Sequence, residues 1–240
     1  VFKVQWGQRR CMLLVALLVL AAIAFKWAYL KTAESAYNIE ELPLSALTLA
    51  GGSDTLANVA ATRLYGTSNI TTTLSLKAFG FNALGLKAPN IIFFALSIVF
   101  LSLFCRRLVS MRDGHAWLLP AALLIMGPPV IQMWGMKNRG GFIESIFALV
   151  LCLWICARPD RGGVVSSFQK LILAIVIGLA IWSQPISLVW GAVIIAYVLW
   201  QEGTTSLRTV PRSTLLILLG LLLALLPLLQ LNFLFNFNTF

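Results

Sequence analysis

The chain has 240 residues, of which 60% are hydrophobic and only 11% charged, with a mean hydropathy of +0.90. That balance excludes an ordinary soluble globular domain, and apolar runs of bilayer length recur along the sequence, as in a polytopic membrane protein. The net charge of +10 does not imply nucleic acid: Lys and Arg gather in cytoplasmic loops of membrane proteins, and no basic stripe interleaved with exposed aromatics is present.

In chain order, Arg9 and Arg10 precede an apolar run from Cys11 to Ala24 that continues through Phe25, Trp27 and Tyr29 to Leu30. Basic residues before a span and aromatics after it place the N-terminus in the cytoplasm. Ala22-Ile23-Ala24 would also suit a signal-peptide cleavage site, but an uncleaved anchor suffices for a chain that is membrane-integral throughout. The segment 31–89 is the one long stretch not built for hydrocarbon, and it holds Glu34, Glu40, Glu41 and Asp54. It reads as an extracytoplasmic loop with short surface helices. One covers residues 42–50, with acids and Pro43 at its start and Gly51-Gly52 as its stop. A second covers about 55–64, and Tyr65-Gly66-Thr67-Ser68-Asn69 breaks the chain. A third apolar stretch, 70–84, leads to the next span.

The second span is expected from Pro89 to Phe104, ending at Cys105-Arg106-Arg107. The third covers 116–134 and is broken near its outer end by Pro128-Pro129, which requires neighbouring protein or water to satisfy the freed backbone groups. A short outer loop, 135–141, carries Lys137 and Arg139. The fourth span opens with Gly140-Gly141-Phe142-Ile143-Glu144 and ends at Arg158. Residues 171–200 are long for one crossing and short for two. With Lys170 on one flank and Arg208 and Arg212 on the other, the segment goes out and back, turning at Trp182-Ser183-Gln184-Pro185. The last span is 213–231.

The outcome is an all-α transmembrane bundle of about seven crossings, a single domain over 1–240. It begins with Val1 and ends just after the polar run 236–239, which reads as an N-terminal fragment of a longer protein. The four cysteines fall near cytoplasmic span ends, where no disulfide is expected. Cys152 and Cys156 share a helix face as packing residues.

Three outward features carry chemistry. Glu40-Glu41 offers a carboxylate for general-base work or for a divalent cation. Lys137 and Arg139 run against the positive-inside bias and suit a phosphate or pyrophosphate. Glu144 is an acid a few residues inside a span, a functional candidate by its cost, with Lys137 or Arg139 as its partner.

On these residues the chain resembles the GT-C membrane glycosyltransferases, in particular the bacterial family-39-like enzymes related to protein mannosyltransferases and aminoarabinose transferases. Glu40-Glu41 matches the family's acidic pair, Gly51-Gly52 the helix stop, Tyr65-Gly66 the turn, and Phe81-Asn82-Ala83-Leu84-Gly85 the approach to span two. Gly140-Gly141-Phe142-Ile143-Glu144 is similar to a Gly-Gly-aromatic-x-Glu start of span four. Gly178-Leu179-Ala180-Ile181-Trp182 with Pro185 is similar to a Gly-Leu-x-x-Trp and Pro hairpin. The chain departs from the pattern in having Glu40 where Asp is usual, Thr67 in place of Gln, and Leu74 where some relatives carry an acid.

The resemblance implies transfer of a sugar from a polyprenyl-phosphate carrier to a lipid, glycan or protein acceptor at the outer face of a bacterial plasma membrane. It implies Glu40 and Glu41 as catalytic residues and Lys137, Arg139, Glu144, Tyr65 and Gln184 as substrate-binding ones. A divalent cation is the one cofactor it brings into question. A transporter or flippase module, or a non-catalytic membrane subunit, would carry the same hydropathy. A cavity open to one side favours transfer, and a polar path through the bilayer favours transport.

Overall fold

The computed structural model describes residues 11–27, 66–80, 82–108, 116–127, 141–157 and 165–234. Among these residues all regular structure is helical, in eight α-helices: α1 (Cys11–Trp27), α2 (Gly66–Phe79), α3 (Ala83–Leu108), α4 (Leu119–Ile125, entered through a 3₁₀ turn at Ala116–Leu118), α5 (Phe142–Cys156), α6 (Ser167–Ser183), α7 (Ser187–Thr205) and α8 (Val210–Leu234). One of them, over Leu84–Leu108, is long and apolar enough by length and composition to cross a bilayer. Shorter apolar helices accompany it.

Several boundaries differ from the sequence expectation, most of all around Gly80. The stretch 70–84 is not one helix. α2 begins at Gly66, inside the expected Tyr65–Asn69 break, and ends at Gly80, whose φ of 81° is the left-handed stop that a residue without Cβ supplies. α3 then starts at Ala83, ahead of Pro89, so that the proline lies inside the helix. Asn82 explains the earlier start: its Oδ1 accepts from the Gly85 N–H at 2.8 Å while its Nδ2 donates to the Phe79 carbonyl at 2.8 Å. One side chain closes α2 and opens α3.

Local signals position the other helices. Pro120 stands in the first turn of α4, where its missing N–H costs nothing. Ser166 and Gln169 form a reciprocal capping box at the start of α6, four residues before the expected boundary. Residues 171–200 divide into two helices around a turn at Gln184–Ile186, as the flanking charges require.

The packing gives each helix a direction. Phe93 stacks near Phe147, Phe100 near Trp154, and Arg107 donates to the Trp154 and Ala157 carbonyls at 2.6 and 3.2 Å, so α3 and α5 run parallel. The Arg107 guanidinium also lies 4.4 Å from the Trp154 ring centroid and caps the last carbonyls of α5. α6 and α8 also run parallel, in close contact through small residues. A Cβ added at Gly178 would come within 2.5 Å of the Ala224 Cβ, and one added at Gly220 within 2.6 Å of the Ala174 Cβ. Such small-residue pairs let helix backbones approach where lipid gives no hydrophobic drive. α7 returns antiparallel to both: Gly191 lies against Ile177, and Glu202 meets Lys170.

Two apolar clusters fill the interior. Cys152, Ile155, Val165, Leu173, Ile177, Ile194 and Val198 join α5, α6 and α7. Ala22, Phe94, Ile98, Ala121, Ile125 and Ile143 join α1, α3, α4 and α5.

Candidate functional site

The glycine-led start of α5 and the Trp-Ser-Gln-Pro turn after α6, far apart in sequence, meet at one end of the bundle. Gly141 caps α5 with φ 58°, and a Cβ there would stand 2.6 Å from the Ser183 Cβ and 2.8 Å from the Ser183 carbonyl oxygen. Glycine is therefore required twice, by the left-handed backbone and by the close approach. One turn on, the Ser145 and Ser187 hydroxyls share a buried 2.7 Å hydrogen bond that ties α5 to the first residue of α7.

Beside this junction lies a cavity of about 340 Å³ between α2, α3, α5 and α6. Its wall is mostly aliphatic and aromatic: Ile70, Phe93, Phe147, Ala148, Val176, Leu179 and Ala180. Thr71, Glu144, Trp182 and Ser183 also line it, but the surface they present to it is almost entirely apolar. Glu144 is 7% exposed and sits in the first turn of α5, where the helix N-terminus favours an anionic side chain. Trp182 is 4% exposed, and its indole N–H is buried with no acceptor among the described residues. A buried donor without an acceptor is costly, and such exceptions gather at binding sites.

Further along α5 and α6 from the lining residues, Cys152, Ile155, Leu173 and Ile177 pack with Ile194 and Val198 in an apolar core. At the opposite end of α6, Lys170 donates to Glu202 at 2.5 Å and to Ser213 Oγ at 2.8 Å. All three are 5% exposed or less.

Of the residues singled out in the sequence, Glu144 lies in the cavity wall. Gln184 lies next to it as the C-cap of α6, its backbone N–H donating to the Ala180 carbonyl and its own carbonyl accepting from the Ser187 N–H, both at 2.8 Å. Glu40, Glu41, Tyr65, Lys137 and Arg139 lie outside the described residues, and so does the distance between the acidic pair and the cavity. Among the described residues no group of three His, Cys, Asp or Glu could hold a metal ion.

The sequence reading passed over Trp182 as a hydrogen-bond donor, Thr71, and the Lys170–Glu202–Ser213 cluster. For Trp182 a signal existed, an indole in an apolar run just before a turn. For Glu202 none did, since its partners come from two other helices.

No family model matches this chain, and no curated protein or solved structure matches it either.

Proposed function

We propose that the chain belongs to the membrane domain of a glycosyltransferase that takes a sugar from a polyprenyl-phosphate carrier at the extracytoplasmic face. The membrane setting is supported by helix faces that water would not tolerate. Leu215, Leu218, Leu219, Leu222 and Leu223 line the outside of α8, and Leu188, Val189, Val193 and Trp200 the outside of α7, all exposed. Contiguous apolar surface on that scale marks contact with lipid or a partner. Arg106, Arg107, Arg208 and Arg212 collect at the end of the bundle away from the cavity, which under the positive-inside rule supports an outward-facing cavity.

The observation that carries the functional reading is the cavity lined by Glu144 and Trp182, with an apolar core further along the same helices. A transport path needs polar groups continuing through the bundle, and the core at Leu173, Ile177 and Val198 offers none. In the proposed reaction the acceptor O–H or N–H attacks the anomeric carbon as the bond from that carbon to the carrier phosphate oxygen breaks. A carboxylate of the Glu40-Glu41 pair takes the acceptor proton, and Lys137 and Arg139 balance the charge left on the phosphate. Glu144 orients the sugar or acceptor from the cavity wall.

The test is transfer of labelled sugar from a set of polyprenyl-phosphate-linked hexoses and pentoses by the full-length protein in membranes. Transfer from one of them, lost on substitution of Glu40 or Glu41 by Gln and weakened in Glu144→Gln, supports the reading. No transfer from any carrier, with the protein folded and inserted, overturns it.

A further inference from the structure

The strongest feature outside the cavity is the buried cluster at the far end of the bundle. Lys170 from the first turn of α6, Glu202 from the last turns of α7 and Ser213 from the first turn of α8 meet within hydrogen-bond distance, almost wholly out of solvent. The three helices are held unequally. α6 and α8 interlock through Gly178, Ala224, Gly220 and Ala174, so neither can move without backbone collision. α7 meets them through a glycine, Gly191 against Ile177, and through the apolar side chains of Ile194 and Val198. Apolar contact is non-directional and permits sliding and tilting. Besides the short hydrogen-bonded turns that join it to α6 and α8, two directional contacts hold the tilt of α7: the Lys170–Glu202 contact at one end and the Ser145–Ser187 hydrogen bond at the other.

We infer that Lys170, Glu202 and Ser213 form a latch. Its opening lets α7 rock about Gly191 and so moves the α5–α7 junction that borders the cavity. A helix rises 1.5 Å per residue, so the arm from Gly191 to Glu202 is about 16 Å and the arm to Ser187 about 6 Å. Movement at the latch therefore reaches the junction reduced about threefold and reversed in direction. Ser187 holds Ser145, the residue next to Glu144, so a rocking α7 pulls on the cavity wall through α5. The latch is strong because both charges are buried together. Removing one leaves the other buried alone, the costly case, whereas removing both with apolar side chains of similar length does not. This inference concerns the shape of the bundle and holds whatever ligand the cavity takes.

Two spin-label pairs test it in the chain reconstituted in nanodiscs, with Cys11, Cys105, Cys152 and Cys156 replaced by alanine. Trp200→Cys with Leu215→Cys reports the latch end, and Leu188→Cys with Leu226→Cys reports the junction end; all four positions are exposed. Lys170→Met is expected to shift or broaden the distance at both ends, about three times more at Trp200 than at Leu188, in proportion to their distances from Gly191 along the helix. Lys170→Met with Glu202→Met removes the same directional contact and is expected to leave both distances shifted or broadened, without the stability loss of the single variant. A control pair, Phe168→Cys with Leu215→Cys between α6 and α8, stays unchanged. A change confined to the latch end, no change at either end, parental distances in the double variant, or equal broadening of the control pair overturns the latch. If Lys170→Met does not fold, Ser213→Ala, which weakens the cluster without stranding a charge, takes its place with the same pattern at smaller amplitude.

Discussion

Two sets of buried polar groups at opposite ends of this bundle stand in opposite conditions. At one end Lys170, Glu202 and Ser213 find each other, and the outcome is three helices held in register. At the other end Trp182 lines a cavity, and its buried indole N–H has no acceptor among the described residues. The Ser145–Ser187 bond beside it satisfies its own members only. A satisfied buried group contributes position and an unsatisfied one is a cost that persists where something else uses it. The contrast separates a cluster that holds helices in register from a donor left unmet beside a cavity.

The largest expected effect breaks the satisfied end. Lys170→Met leaves Glu202 buried without its cation and is expected to destabilise the bundle by about 3–5 kcal/mol, measured by denaturant unfolding in micelles. Adding Glu202→Met recovers most of that loss. If the single and double variants unfold alike, the ion pair is not what joins α6, α7 and α8.

Next comes the chemistry at the other end. A general base contributes about 10²–10⁴-fold, so at least one of Glu40→Gln and Glu41→Gln is expected to lose on the order of a hundredfold in transfer rate at saturating donor while still inserting. If both keep parental rates and Asp54→Asn or Glu144→Gln abolishes transfer, the base is not in the pair.

A third experiment sharpens the contrast directly. Trp182→Phe removes the orphan donor and keeps most of the ring, so it is expected to leave stability unchanged or raise it by about 1 kcal/mol while weakening donor or acceptor binding. Ser187→Ala removes a satisfied contact and is expected to cost about 1 kcal/mol in the same unfolding measurement. Equal losses from both would mean that the Trp182 N–H is as well satisfied as the Ser187 hydroxyl.

The smallest effect is a pH dependence. Glu202 lies beyond Trp200, where the apolar run of α7 ends. Burial pushes its carboxyl up, but hydrogen bonds from Lys170, Ser213 and Thr209, with the Lys170 charge, offset this and hold it below the ordinary carboxylate range. A depressed carboxyl contributes stability that is fully present above its unfolded value, about 4.3 for Glu, and lost as pH falls through the folded one. The unfolding midpoint is therefore expected to stay flat between about pH 6 and 8 and to fall on acidification below about pH 4, with the acid limb shallower in the double Met variant.

The helical class was legible from composition, and the turn after Trp182 from charge on its two flanks. Both are properties of single segments, which hydropathy and the positive-inside rule describe well. The helix starts at Ala83 and Ser167 were misplaced because apolar runs mark what must be buried, while ends are set by polar capping residues, Asn82 and the Ser166–Gln169 box. Both caps are readable as sequence signals once sought. Glu144 was legible as a lone acid in a span. Its neighbours in the cavity were not, because Thr71 and Trp182 arrive from separate helices whose packing depends on glycines at Gly141 and Gly178. Those glycines were visible as motif letters, and the surfaces they touch were not.

The parallel pairing of α6 and α8 also constrains the order of assembly. Two parallel neighbours cannot be joined by a tight turn, so the glycine face at Ala174 and Gly178 has to wait until α7 has run back and α8 has followed it. During synthesis that face emerges well before its mate at Gly220 and Ala224. The α6–α7 hairpin is therefore made before the surface that covers the glycine face of α6. Contacts formed late from distant segments are slow steps, and any chaperone or insertase that attends this chain would meet it at that stage, with α6 still unpaired along its most closely packed side.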